Sequence, residues 1–171
     1  MPPTQAQRRI LELAQGFRIS AVVITFAELG LARHLAARPL STDELAQAAG
    51  VDAQALARFL RAAAALDLVS ETPQGWQLST SATETLLPDS PQSLAHFLAA
   101  QAAFYRRWGL LTDAVRSGRA PEASRREEAA TDWVRHFTLM LYEIARTVSD
   151  DVAAALVPLI ERIQRPRVLD L

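Results

Sequence analysis

Cysteine and lysine are both absent from these 171 residues. Without a thiol there is no disulfide, no thiolate zinc site and no cysteine nucleophile, which fits a cytosolic protein. Without lysine all 18 basic residues are arginine, and with so much alanine this is the usage of a GC-rich bacterial coding sequence. Neither sign of charge is in excess: the net charge is −1, too little to hold nucleic acid or an anionic membrane by an overall field. Long hydrophobic runs are missing as well. The most apolar one, Ala21 to Ala27, is far shorter than the roughly 20 residues of a membrane span. The polar start, Met1 to Gln5, is unlike a signal peptide. A cytoplasmic chain with no membrane or nucleic-acid partner is expected.

What is present suffices for a core. Half the residues are apolar and 22% are charged, as in an ordinary globular domain, and the length suits one domain or slightly more.

The chain divides into three parts: 1–88, 89–163 and 167–171. In the first, Gln5 to Leu29 reads as helix, with Ile10, Leu11, Ala14 and Phe17 at helical spacing. From Ile19 onward the apolar residues face every direction, and a helix apolar all round must be covered on every side. A second copy of the chain is the simplest cover, which makes Phe17, Ile19, Val22, Val23, Ile24 and Phe26 the expected dimer interface. The central helix of a single-chain bundle is the competing reading. After Gly30, Leu31 to Ala37 form a short helix. Ser41 with Glu44 three residues on is a capping box opening the next, which ends at Gly50. Asp52 caps a third, with Leu56, Phe59, Leu60, Ala63 and Leu66 along one face. Leu68 to Glu71 and Trp76 to Leu78 read as strands around a turn. The predicted fold is mainly α: a winged helix-turn-helix with a small β-hairpin wing, followed by long linker helices.

Ser81 to Leu87, with Glu84 three after Ser81, is read as a further short capped helix. Ser90-Pro91 is read as the start of a long helix reaching about Arg116. Ser124 with Glu127 is read as the cap of a last long helix carrying Trp133, Phe137, Met140, Leu141 and Ile144. Asp150 to Ile163 is helical again, with Pro158 a kink. Arg167 to Leu171 reads as a buried strand.

A winged helix suggests DNA, but Ser41 to Leu78 holds only Arg58 and Arg61 against Asp43, Glu44, Asp52, Asp67 and Glu71, a net of −3. A duplex reader depends on neutralising phosphates, so this segment lacks the footprint. His34, His96 and His136 are far apart in sequence and show no metal spacing. Asp150 and Asp151, being adjacent on a helix, point to different faces. The aromatic set is more suggestive. Core packing is the plainer reading for Trp108 and Trp133, yet pockets for flat ligands are also lined by such side chains. Phe104, Trp108, Phe137, Met140 and Leu141 are the candidate substrate-pocket residues.

Ala27-Glu28-Leu29-Gly30-Leu31-Ala32, Ser41 to Ala46, Leu56 to Arg61, the hairpin, the Phe137 helix and Arg167-Val168-Leu169-Asp170-Leu171 occur in a telling order. Together they resemble the N-terminal part of class I S-adenosyl-L-methionine-dependent O-methyltransferases of the plant and bacterial small-molecule type. The resemblance implies a homodimer whose N-terminal helices are exchanged between subunits and help form the partner's substrate pocket. It implies a pocket role for Phe137. Four residues later the family commonly has Met; here Leu141 stands there, and Met140 one earlier. Arg33 stands where relatives often have Asp. It also places the glycine-rich loop, the ribose-binding acid and the catalytic His after Leu171. S-adenosyl-L-methionine is therefore expected in a longer parent protein, with no cofactor-binding, catalytic or metal residue in this chain and no activity of its own. The reading from another class is a free-standing winged-helix DNA-binding regulator or interaction protein.

Overall fold

The computed structural model describes residues 2–120, 131–165 and 167. Ser124 and Glu127, and all of the expected terminal strand except Arg167, lie outside the described residues.

The chain begins with α1 (Gln5–Gln15), opened by a capping box in which Thr4 and Gln7 satisfy each other's backbone N–H. Gly16 keeps helical dihedrals (φ −54°, ψ −33°), so α1 leads into α2 (Phe17–Glu28) as one 24-residue helical stretch. By length and composition that stretch is apolar enough to cross a membrane, which corrects the shorter count made from Ala21 to Ala27 alone. Its two halves differ. α1 buries no residue, whereas α2 carries Ile24 and Phe26 into the protein's own interior.

Three short helices follow: α3 (Leu31–Leu35), α4 (Thr42–Ala49) and α5 (Ala53–Ala65). Their ends form where the local chemistry demanded. Ser41 Oγ accepts from Glu44 N at 3.2 Å and the Glu44 carboxylate accepts from Ser41 N at 2.8 Å. Gly50 ends α4 in the left-handed conformation at φ 67°, and Asp52 caps α5 by accepting from Ala55 N at 2.7 Å. Strands β1 (Val69–Thr72) and β2 (Gly75–Leu78) pair antiparallel, Val69 opposite Leu78 and Thr72 opposite Gly75. Leu40 adds a single bridge to Trp76, with backbone bonds of 3.0 and 2.8 Å. That contact explains Gly75: at φ 120°, a Cβ there would overlap the Leu40 carbonyl. The helix–helix–helix–hairpin order required by the winged helix-turn-helix reading is thus present. Its core is one cluster, with Phe26, Leu31, Leu45 and Leu60 wholly enclosed and Leu35, Leu56, Ala63, Val69 and Trp76 around them.

Beyond the hairpin the boundaries depart from expectation. α6 (Thr80–Leu86) is capped by Ser79, which accepts from Ala82 N at 3.0 Å, rather than by Ser81; Ser81 turns back toward Asp67. The next helix, α7 (Ala95–Trp108), does not start at Ser90-Pro91. Ser90 Oγ instead donates to the Glu84 carbonyl and holds a turn. α7 also stops short of Arg116, and α8 (Leu111–Ser117) follows after a break at Gly109 and Leu110. The last described helix, α9 (Thr131–Ile160), is one 30-residue element rather than two, with Pro158 in its final turn. α9 packs chiefly on α7, and α7 packs in turn on α2.

Candidate functional site

The described residues of α7 and α9 bring together side chains far apart in the sequence. At the N-terminus of α7, Leu94 provides no side-chain acceptor; Ser93 Oγ accepts from Ala95 N at 3.2 Å, and the next two N–H groups need a partner from elsewhere. Glu143 of α9 takes that role. Its carboxylate accepts from His96 N at 3.2 Å and from Phe97 N at 2.6 Å, and the residue is only 5% exposed. The first turn of a helix presents unpaired N–H groups and the positive end of its dipole, so a carboxylate there is favoured twice over. One turn further along α9, Arg146 donates to the carbonyls of Pro91 and Ser93 and fastens the segment before α7. Sequence reasoning missed both residues, because neither carries a local signal.

The same helix pair joins two histidines that the sequence left separate. His96 Nδ1 and His136 Nδ1 lie 2.9 Å apart, and the rings are tilted by 42°. Burial pushes the His96 imidazole below its ordinary pKa; the nearby Glu143 carboxylate opposes the shift, while His136 and Arg135 add to it. Among the described residues no three His, Cys, Asp or Glu side chains converge to hold a metal ion.

The aromatic candidates divide. Phe104 meets Trp133 edge-to-face at 5.3 Å, and Trp133 lies 5.6 Å from Phe137, with the Arg107 guanidinium 4.2 Å from the Trp133 ring centre. Met140 is buried. Trp108 and Leu141 stand apart, both exposed, so Trp108 is not the core residue it was taken to be. A cavity of about 410 Å³ opens on the other side of α7, toward α2 and α3. It is lined by Phe26, Leu98, Ala102 and Leu86 and by the polar groups of His96, His136, Arg33 and the Glu28–Arg106 ion pair, and none of the pocket candidates lines it.

The interface candidates also divide. Phe17 and Ile19 are 56% and 59% exposed, and Ile10, Leu11 and Leu13 continue that apolar surface along α1. Val22 and Val23 are half-buried. Ile24 and Phe26 are enclosed by their own chain, Phe26 completely, and have no surface left for a partner. The helix is apolar all round, yet only its second half is covered by the described chain.

Both described strands are spent on the hairpin, and none of the six glycines belongs to a glycine-rich loop between a strand and a helix. The fold is similar to the N-terminal region of solved small-molecule methyltransferases. Residues 11–89 match the O-methyltransferase dimerisation-domain family. The 3-amino-4-hydroxybenzoate 4-O-methyltransferase of Streptomyces cremeus is 37% identical over 121 residues, which is 69% of this chain and 33% of that protein. Human N-acetylserotonin methyltransferase, solved with S-adenosyl-L-methionine, superposes with a TM-score of 0.74 at 26% identity, over 90% of this chain and 49% of that one. The N,N-8-amino-8-demethyl-D-riboflavin dimethyltransferase of Streptomyces davawensis gives 0.72 at 27% identity, over 89% and 48%. The chain therefore spans about a third of the curated relative and about half of each solved structure.

Proposed function

We propose that this chain is the dimerisation and substrate-capping part of a bacterial S-adenosyl-L-methionine-dependent O-methyltransferase of secondary metabolism. It works in the cytoplasm, on a small hydroxylated molecule of aromatic or polyketide type. In this reading residues 1–88 form the dimerisation domain and 89–163 the capping helices. Homodimerisation rests on the apolar surface of Ile10, Leu11, Leu13, Phe17 and Ile19, which the described chain leaves uncovered. A surface of that kind marks an interaction site. Capping rests on the Phe104–Trp133–Phe137 stack, flat side chains suited to a flat ligand.

The dimer is tested by light scattering at micromolar concentration. Twice the chain mass of 18.7 kDa supports it, and a monomer mass contradicts it. Substitution to Asp should be made at Phe17 and Ile19, because Ile24→Asp would place its charge inside the protein's own core. Alone, the 171 residues transfer no methyl group in this reading. Turnover by the purified chain at ordinary enzyme rates would overturn that part.

A further inference from the structure

We infer that His96 and His136 form a proton-operated latch that holds α9 against α7, closed when the pair shares a single Nδ1 proton and opened when both rings are protonated. The inference is independent of the methyltransferase reading, since it uses only the contact between the two helices.

The geometry sets the proton count. Two Nδ1 atoms at 2.9 Å make a hydrogen bond only if one donates and the other accepts. Two imidazolium rings would each present an N–H where the other does, and two like charges would meet at hydrogen-bond distance. The surroundings do not rescue the doubly charged state. From α9, Glu143 is the carboxylate nearby, but both its oxygens already accept from the first turn of α7, and Arg135 adds positive charge. From α7 and α2, Arg106 and Glu28 neutralise each other at 2.8 Å. From α3, Arg33 lines the same cavity and adds another cation. Arg146 of α9 sits over the segment leading into α7. Both rings line the 410 Å³ cavity, which gives water and protons a way in.

Opening the latch moves chemistry as well as helices. His136 lies between Trp133 and Phe137 on α9, so separating it from His96 withdraws Trp133 from Phe104 and carries Phe137 with it. The sign follows from the lowered His96 pKa. The packed state prefers the neutral ring and the open state takes up a proton. Latch stability is therefore complete above 6.5, the value for a free histidine, and is lost as the pH falls toward the lowered value.

The test is hydrogen exchange on the whole chain between pH 7.5 and 5.5, corrected for intrinsic rates. Protection of the α9 amides on either side of His136 should fall about tenfold per pH unit below 6.5, the effect of one linked proton. In His136→Asn, whose amide can bond His96 but cannot titrate, the pH dependence should be clearly shallower, since only the burial of His96 and the nearby Arg135 remain to disfavour its proton. Equal pH dependence in the two proteins, or none in the wild type, overturns the latch. Should His136→Asn fail to fold, histidine NMR of the wild type decides. Only one ring gaining a proton while α9 stays packed supports the latch, and both rings titrating with α9 still packed overturns it.

Discussion

The helix–hairpin module, α2 to α6, and the long helices flanking it are made on opposite principles. In the module each helix end is determined by residues one to four positions away, and the apolar residues close on one another around Phe26, Leu31, Leu45 and Leu60. In the α7–α9 pair the start of α7 is held from afar: Glu143 caps it from 46 and 47 residues away, and Arg146 fastens the segment before it. The apolar residues of the flanking helices also exceed what the described chain covers. Leu13 on α1 is 61% exposed and Leu159 on α9 is 58% exposed. The module closes a core of its own, whereas the flanking helices leave large apolar side chains exposed among the described residues.

The contrast can be broken at either end, and the largest effect belongs to the module's centre. Phe26→Ala should cost about 3–5 kcal/mol, the toll of an emptied aromatic site that cannot collapse. A urea-unfolding shift below about 1 kcal/mol would mean that Phe26 is not fully packed. Glu143→Ala should cost about 2 kcal/mol, because it leaves two helix-start N–H groups without their carboxylate. The loss should concentrate in faster exchange at His96 and Phe97 and leave the module's amides protected. Gly75→Ala should cost about 1–3 kcal/mol through strain at its positive φ and the clash with Leu40. The Leu40–Trp76 bridge should open in amide exchange while α4 and α5 hold.

Smallest is the capping box of α4. Ser41→Ala should cost about 1 kcal/mol in urea unfolding. Glu44 is held at a pKa of about 2 rather than 4.5, first by the Ser41 backbone N–H, then by the Ser41 hydroxyl and Arg38. A depressed carboxylate stabilises the fold above its unfolded value and loses that contribution as the pH falls through the lowered one. Wild type should therefore weaken between pH 4.5 and about 2 in a way that Glu44→Gln does not, a small difference at so exposed a site.

This difference in construction also explains what could be read from the chain. Ser41 with Glu44, Gly50 and Asp52 are local signals, and each led to the right boundary. The α6 cap was misplaced because two serines stand at the start of the helix, and only the fold shows that Ser79 caps while Ser81, inside the first turn, faces Asp67. Ser90-Pro91 looked like a helix start, but the true start depends on a carboxylate brought by another helix. The His96–His136 contact spans 40 residues and follows no metal or catalytic spacing. The apolar first helix was legible as needing more cover than one face provides. The division of labour, Phe26 inward and Phe17 and Ile19 outward, needed the packed structure.

The central claim is that the outer face of the first helical stretch, from Ile10 to Ile19, is covered by a second copy while the core around Phe26, Leu45 and Leu60 needs none. The absence of cysteine makes a direct measurement simple: a single spin label placed through Leu13→Cys, and in a second protein through Arg58→Cys on the exposed face of α5. The account predicts that the Leu13 label is immobilised, shielded from water-soluble relaxants and coupled to its twin in the other subunit, while the Arg58 label stays mobile and accessible. Equal mobility and accessibility at the two positions, with no coupling at Leu13, would contradict it.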